Sequence, residues 1–202
     1  MNGYKLCKTI KEDINISHIP VILLTARDDR QSQISGYKNG ADGYLSKPFE
    51  VEMLMELIRN RLKNREYTKK RYLNAGLIPT PEESTISLTD ETFLIKLNSI
   101  IQENIENSNL GIQFICQEVG LGRSSLYNKL KALTGMGANE YISKLRIEKA
   151  ITLISGTDMP FSEIAEKTGF TTPSYFSTAF KQYTGETPSQ YKERKKKGLA
   201  DK

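Results

Sequence analysis

The sequence predicts a mainly α-helical chain: a C-terminal all-α domain of two helix-turn-helix units joined by a long helix, preceded by a smaller α/β segment. Three observations lead there. The second half repeats itself at a spacing of about fifty residues, apolar residues recur at helical spacing throughout that half, and two short apolar runs alternate with helical stretches in the first 65 residues. At 202 residues the chain has room for one or two domains of ~100–200 residues each.

Residues 21–25 (VILLT) form a continuous apolar run after Pro20, the pattern of a strand buried on both faces as in a parallel sheet. A helix over 31–39 stops at Asn39-Gly40, and 42–46 (DGYLS) reads as a second short strand before Lys47-Pro48. From 50 to 61 a helix carries Met53, Leu54, Leu57, Ile58 and Leu62 on one stripe. Residues 1–65 therefore read helix, strand, helix, strand, helix. Residues 66–88, with Lys69, Lys70, Arg71, Pro79 and Pro81 and no sustained period, are the predicted linker. Asp90 and Glu91 suit a helix N-terminus, and Phe93, Leu94, Leu97, Ile100 and Ile101 continue a helix over about 90–106.

The repeat aligns Ile115 and Gly120 with Ile164 and Gly169, then Ser124, Lys131, Thr134, Gly135 and Tyr141 with Ser174, Lys181, Thr184, Gly185 and Tyr191 after one inserted residue. Each copy, at about 111–135 and 161–185, is a short helix, a glycine turn, a second helix and Thr-Gly. The second helices point Leu126, Leu130, Leu133 and Phe176, Phe180, Tyr183 inward. The connecting helix, 139–155, stops at Gly156 and is roughly 25 Å long at 1.5 Å per residue.

Composition excludes much chemistry. A net charge of +5 permits a nucleic-acid partner without requiring one. With His18 as the single histidine, a His-based zinc site, a Ser-His-Asp triad or a Cys-His dyad is unexpected. Cys7 and Cys116 lie far apart, and no signal-like or 18-residue apolar run is present, so the expectation is a reduced, cytoplasmic chain without membrane contact. No metal ligands, nucleophile-base pair or phosphate-cradling glycine loop are recognisable; the chain is expected not to be an enzyme and to need no cofactor.

The strings SSLYNKLKALTG at 124–135 and IAEKTGFTTPSYFSTAFKQYTGETPSQY at 164–191 resemble the DNA-binding domain of the AraC/XylS family of transcription regulators, over about 89–195. Thr25-Ala26, GADGY at 40–44 and KPF at 47–49 resemble the C-terminal portion of a two-component receiver domain, whose fold is flavodoxin-like α/β. That family's phosphorylated aspartate and acidic Mg²⁺ pair have no counterpart here; Asp28 and Asp29 read as the start of the following helix. The resemblance thus implies a partial receiver that is neither phosphorylated nor binds Mg²⁺ by that mechanism, with an exposed apolar strand edge that favours self-association or partial disorder of 1–65. LIPTPEE at 77–83 followed by DETFL at 90–94 is similar to hybrid two-component regulators of Bacteroidetes, which join sensor, kinase, receiver and AraC-type output and often control glycan-utilisation genes.

The resemblance implies double-stranded DNA as partner, a homodimer through the receiver part, and a cognate histidine kinase or kinase domain in a parent protein that spans the membrane in some hybrid sensors. In a helix-turn-helix the second helix enters the major groove with its N-terminal residues on base edges. The outward residues are then Arg123, Ser124, Ser125, Tyr127, Asn128 and Lys131 in the first copy, with Arg123 and Asn128 as base readers. The second copy offers Thr171, Thr172, Ser174, Tyr175, Ser177, Thr178 and Lys181 for phosphates, thymine methyls and water, with Pro173 opening its helix. Arg123, Lys129, Lys131, Lys144, Arg146 and Lys149 against Glu140 and Glu148 suggest a local basic footprint. Lys192, Arg194 and 195–197 read as a solvated tail, with phosphate contact the alternative. In an intact receiver, Thr25 and Lys47 would contact the phosphoryl group and Tyr44 would be the aromatic switch, with the Lys47–Pro48 peptide cis. A helical protein-interaction module without DNA affinity is the competing reading.

Overall fold

The computed structural model describes residues 2–26, 30–75 and 87–200. The contacts divide the chain into two compact units: 1–96 with 121–136, and 97–120 with 137–202.

The first unit opens with α1 (Gly3–Glu12), whose N-terminus is closed by the Asn2 side chain accepting from Lys5 N–H at 2.9 Å. Strands β1 (Ile22–Thr25) and β2 (Gly43–Ser46) pair in parallel, Ile22 opposite Gly43 and Thr25 opposite Ser46, with α2 (Arg30–Lys38) as the crossover. Gly40, at φ 85°, ends the α2 segment as the Asn-Gly pair predicts. Asp42 ties the sheet's start together: its carboxylate accepts from Val21 N–H at 2.6 Å and pairs with Lys11 at 2.7 Å.

Two expectations change here. β1 is half-buried and Leu24 is 43% exposed, because the described sheet has two strands and cannot cover both faces. The helix α3 (Val51–Ala75) runs ten residues into the stretch read as linker, since 66–75 contains neither proline nor glycine and is rich in helix formers. On α3 only Leu54, Leu57 and Ile58 of the expected stripe are half-buried; Met53 and Leu62 are exposed. The expected helix start at Asp28-Asp29 and the remaining linker residues, 76–86, lie outside the described residues.

Helix α4 (Leu88–Glu103) begins in the first unit, where the Ser87 carbonyl accepts from Asp90 and Glu91 N–H. It ends three residues earlier than expected, the Asn104 side chain donating to the Ile100 carbonyl at 2.9 Å. The first unit also contains α6 (Arg123–Thr134), which lies against α3.

The second unit holds α5 (Ile112–Val119), the connector α7 (Ala138–Gly156), α8 (Phe161–Lys167), α9 (Pro173–Thr184) and α10 (Pro188–Ala200). Its core gathers Ile147, Ala150 and Ile154 of α7, Ile164 and Ala165 of α8, Phe176 and Phe180 of α9, Phe170 and Tyr191. The connector does not stop at a left-handed Gly156. Thr157 closes it instead, with both its N–H and its hydroxyl on the Leu153 carbonyl. The tail at 192–197 is helical and ion-paired rather than loose: Arg194 reaches Glu186 at 2.7 Å and Lys192 reaches Asp158 at 3.2 Å.

Candidate nucleic-acid interface

The repeat seen in the sequence is a repeat of backbone geometry. Gly120 and Gly169 turn at φ 73° and 72°, and Gly135 and Gly185 close α6 and α9, each twelve residues long, at φ 79° and 84°. The second turn is also a point of close approach. A Cβ on Gly169 would sit 2.1 Å from the Ile105 carbonyl oxygen and about 3 Å from the Arg146 guanidinium. Arg146 holds this corner, donating to the Asn107 carbonyl at 2.7 Å and lying 6.0 Å from the Phe170 ring centre. Burial lowers its pKa from the usual arginine range.

At α9 the sequence sorts itself by period. Phe176 and Phe180 are fully buried, their rings 5.7 Å apart, and Phe180 meets Tyr191 at 5.5 Å. Tyr183, expected inward, is 41% exposed and donates its hydroxyl to Glu148 at 3.2 Å; Tyr191 takes its place in the core. Burial followed by the Glu148 charge raises the Tyr183 pKa. The opposite face presents Thr171, Ser174, Tyr175, Thr178 and Lys181 exposed and Ser177 half-buried. Two hydroxyls among the predicted contact residues serve the helix itself. Thr172 caps it by accepting from Tyr175 N–H at 3.1 Å, and Thr178 donates to the Ser174 carbonyl at 3.1 Å. Pro173 occupies the first turn, as its structural reading predicts.

On α6, Leu126, Leu130 and Leu133 are buried, while Arg123, Ser124, Asn128, Lys131 and Tyr127 (55% exposed) face out and Ser125 is half-buried. None of the predicted DNA-facing residues of the two helices is buried, Ser125 and Ser177 being the least exposed of them. The expected basic footprint is smaller than counted. Lys129 and Lys144 are buried, Arg146 is held at its corner, and Lys149 pairs with Glu106 at 3.1 Å. Lys129, Lys144 and Lys149 each pair with a carboxylate, while Arg123 and Lys131 lie on the exposed face of α6. Sequence reasoning missed the inward role of Lys129. The signal was present: it follows Leu126 by three residues and precedes Leu133 by four, which places it on the apolar stripe.

In the α/β segment Thr25 ends β1, and Lys47, just beyond β2, donates its N–H to the Thr25 carbonyl at 2.6 Å. The Lys47–Pro48 peptide is cis. Tyr44 lies in β2, and a Cβ on Gly36 would come within 3.0 Å of its ring, so glycine is what lets α2 approach that side chain. Thr25 and Lys47 lie at the same end of the sheet, whereas Tyr44 sits two positions back, opposite Leu23.

A βαβ segment followed by two helix-turn-helix repeats on one connector defines a tandem helix-turn-helix architecture behind an α/β segment. Residues 115–194 match the family described as helix-turn-helix domain, and residues 1–59 match the response regulator receiver domain. The chain carries an AraC-type helix-turn-helix domain, the DNA-binding domain of transcription regulators, behind a receiver-domain fragment. Histidine kinase P4 of Formosa agariphila is 42% identical over 96% of this chain, which spans 14% of that protein's length. The HTH-type transcriptional activator RhaR of Salmonella dublin is 34% identical over 50% of this chain and 36% of its own. The solved C-terminal domain of AraT, a response regulator from Geobacillus stearothermophilus, is 31% identical over 50% of this chain and 84% of that one, with a TM-score of 0.48. Among the described residues no helix is long and apolar enough to cross a membrane.

Proposed function

We propose that this chain is the output end of a two-component phosphorelay and reads a specific double-stranded DNA site through α6 and α9. The observation that supports it best is the shared register of the two helices: each turns its apolar triplet or pair inward and leaves a polar N-terminal face open at the same positions of the repeat. The connector α7, at 19 residues, is about 28 Å long at 1.5 Å per residue.

Arg123 and Asn128 supply base discrimination, guanine and adenine being their natural partners. Thr171, Ser174, Tyr175, Ser177, Thr178 and Lys181 contribute phosphate, methyl and water-mediated contacts, with Ser124, Ser125, Tyr127 and Lys131 completing the α6 face. Thr172 contributes through its cap.

The receiver fragment, with Thr25 ending β1, Tyr44 within β2 and Lys47 just beyond it, supports control of this output by a histidine kinase, in the manner of the kinase that matches nearly the whole chain. Control of glycan-utilisation genes and a homodimer through the receiver part belong to the same reading; the exposed Leu24, Met53 and Leu62 favour the latter. The test compares Arg123→Ala and Asn128→Ala on an enriched and a scrambled duplex. Loss of roughly 1–3 kcal/mol on the enriched site alone is expected; equal loss on both would remove base reading from these residues.

A further inference from the structure

Lys129 is fully enclosed on the inward side of α6. Its ammonium group pairs with the Asp90 carboxylate and donates to the Ser17 hydroxyl at 2.7 Å, and Ser17 in turn donates to Asp90 at 2.7 Å. The Phe93 ring centre lies 5.1 Å from the ammonium. The three polar groups come from three places: the turn after α1, the first turn of α4 and the middle of α6.

A buried ion pair adds little net stability, yet breaking it by removing one partner leaves an uncompensated charge, so it fixes a register. Here the third member comes from the receiver fragment. Ser17 is itself fixed from the sheet side: Lys11 donates to the Ser17 and Ile19 carbonyls at 3.3 and 2.9 Å and pairs with Asp42, which accepts from Val21 N–H. Thr89 adds a second tie, donating to the Lys11 carbonyl at 3.0 Å. A continuous line of hydrogen bonds and ion pairs therefore runs from the start of β1 to the inward face of α6. The outward face of α6 remains exposed: among the described residues of the first unit, none covers Ser124, Tyr127 or Asn128.

We propose that Ser17, Asp90 and Lys129 form the junction through which the receiver fragment sets the position of the first reading helix, control by positioning rather than by masking. The junction's role in DNA affinity rests on the DNA-reading proposal above; its role in holding α6 does not.

The test uses the 202-residue chain, its Ser17→Ala variant, the double variant Asp90→Leu with Lys129→Met, which removes both charges together, and Lys8→Ala as an exposed control. Two quantities are measured: amide hydrogen exchange over 123–134 without DNA, and affinity for a duplex enriched by selection. In Ser17→Ala, exchange over α6 is expected to rise about tenfold, the equivalent of one lost hydrogen bond, whereas the double variant, which replaces the pair by apolar side chains, should change it less than Ser17→Ala does. Duplex affinity is expected to fall about three- to tenfold, the range of coupling such networks carry. Lys8→Ala should change neither. Unchanged exchange in Ser17→Ala overturns the junction, and faster exchange with unchanged affinity overturns its control of DNA reading. If the parent chain binds no duplex, the DNA-reading proposal fails, and the junction is judged on the exchange result alone.

Discussion

The repeat provides a matched pair of glycines on which the packing argument can be tested. Gly120 and Gly169 have the same backbone conformation, φ 73° and 72°, and both belong to the second unit. Replacing either by alanine costs about 1 kcal/mol for placing a Cβ in the left-handed region. Their surroundings differ: nothing lies within 4 Å of a Cβ at Gly120, whereas at Gly169 the Ile105 carbonyl oxygen would be 2.1 Å away. That oxygen is backbone, and it must retreat by about 1 Å to reach ordinary contact, displacing the α4–α5 connection or the turn before α9. Overpacking of this kind costs about 1–3 kcal/mol more. Gly120→Ala is therefore expected to lose about 1 kcal/mol and Gly169→Ala about 2–4 kcal/mol in urea unfolding followed by far-ultraviolet circular dichroism. Equal losses for the two variants would refute the close-approach argument and leave only the backbone conformation.

Further outcomes are expected at the cap, in salt and in acid. Thr172→Ala should destabilise α9 by about 1 kcal/mol in the same melts, whereas Thr172→Ser, which keeps the accepting oxygen, should be nearly neutral. If Lys181 touches phosphate, Lys181→Ala should reduce the slope of log affinity against log salt by about one while leaving sequence preference unchanged. Burial, then the nearby Lys129 charge, lowers the pKa of His18, and its Nδ1 has no partner among the described residues. The unfolded chain then binds that proton more readily than the folded one. The stability this contributes is present above the ordinary histidine range near ~6.5 and is lost as the pH falls through and below it. Thermal melts at pH 7.5 and 5.5 should show a smaller acid-induced drop for His18→Gln than for the parent.

The two halves of the chain were unequally legible in the sequence. The helix-turn-helix repeats stand out because period, glycine turns and Thr-Gly stops coincide, and the structure has helices at 112–119, 123–134, 161–167 and 173–184. What periodicity could not give was the fate of individual polar groups. Lys129 was counted as surface charge because residue type outweighed its place on the stripe, and its partners Ser17 and Asp90 lie 112 and 39 residues away. Tyr183 was assigned to the core by spacing alone, but at the last turn of α9 a tyrosine can keep its hydroxyl near solvent while Tyr191, from the next helix, fills the space. In the first half, the apolar run at 21–25 predicts a strand covered on both faces because such runs usually are; with two described strands the covering layer is incomplete. The extension of α3 past 65 was hidden by a change in charge composition that does not interrupt helix propensity.

Selection of bound duplexes from a random pool, followed by affinity against salt for the enriched and a scrambled site, tests the central claim most directly. The account predicts a two-part motif with half-sites about one helical turn apart and a log–log salt slope of several units. No enrichment together with a flat salt response would contradict it and would favour a protein-interaction module.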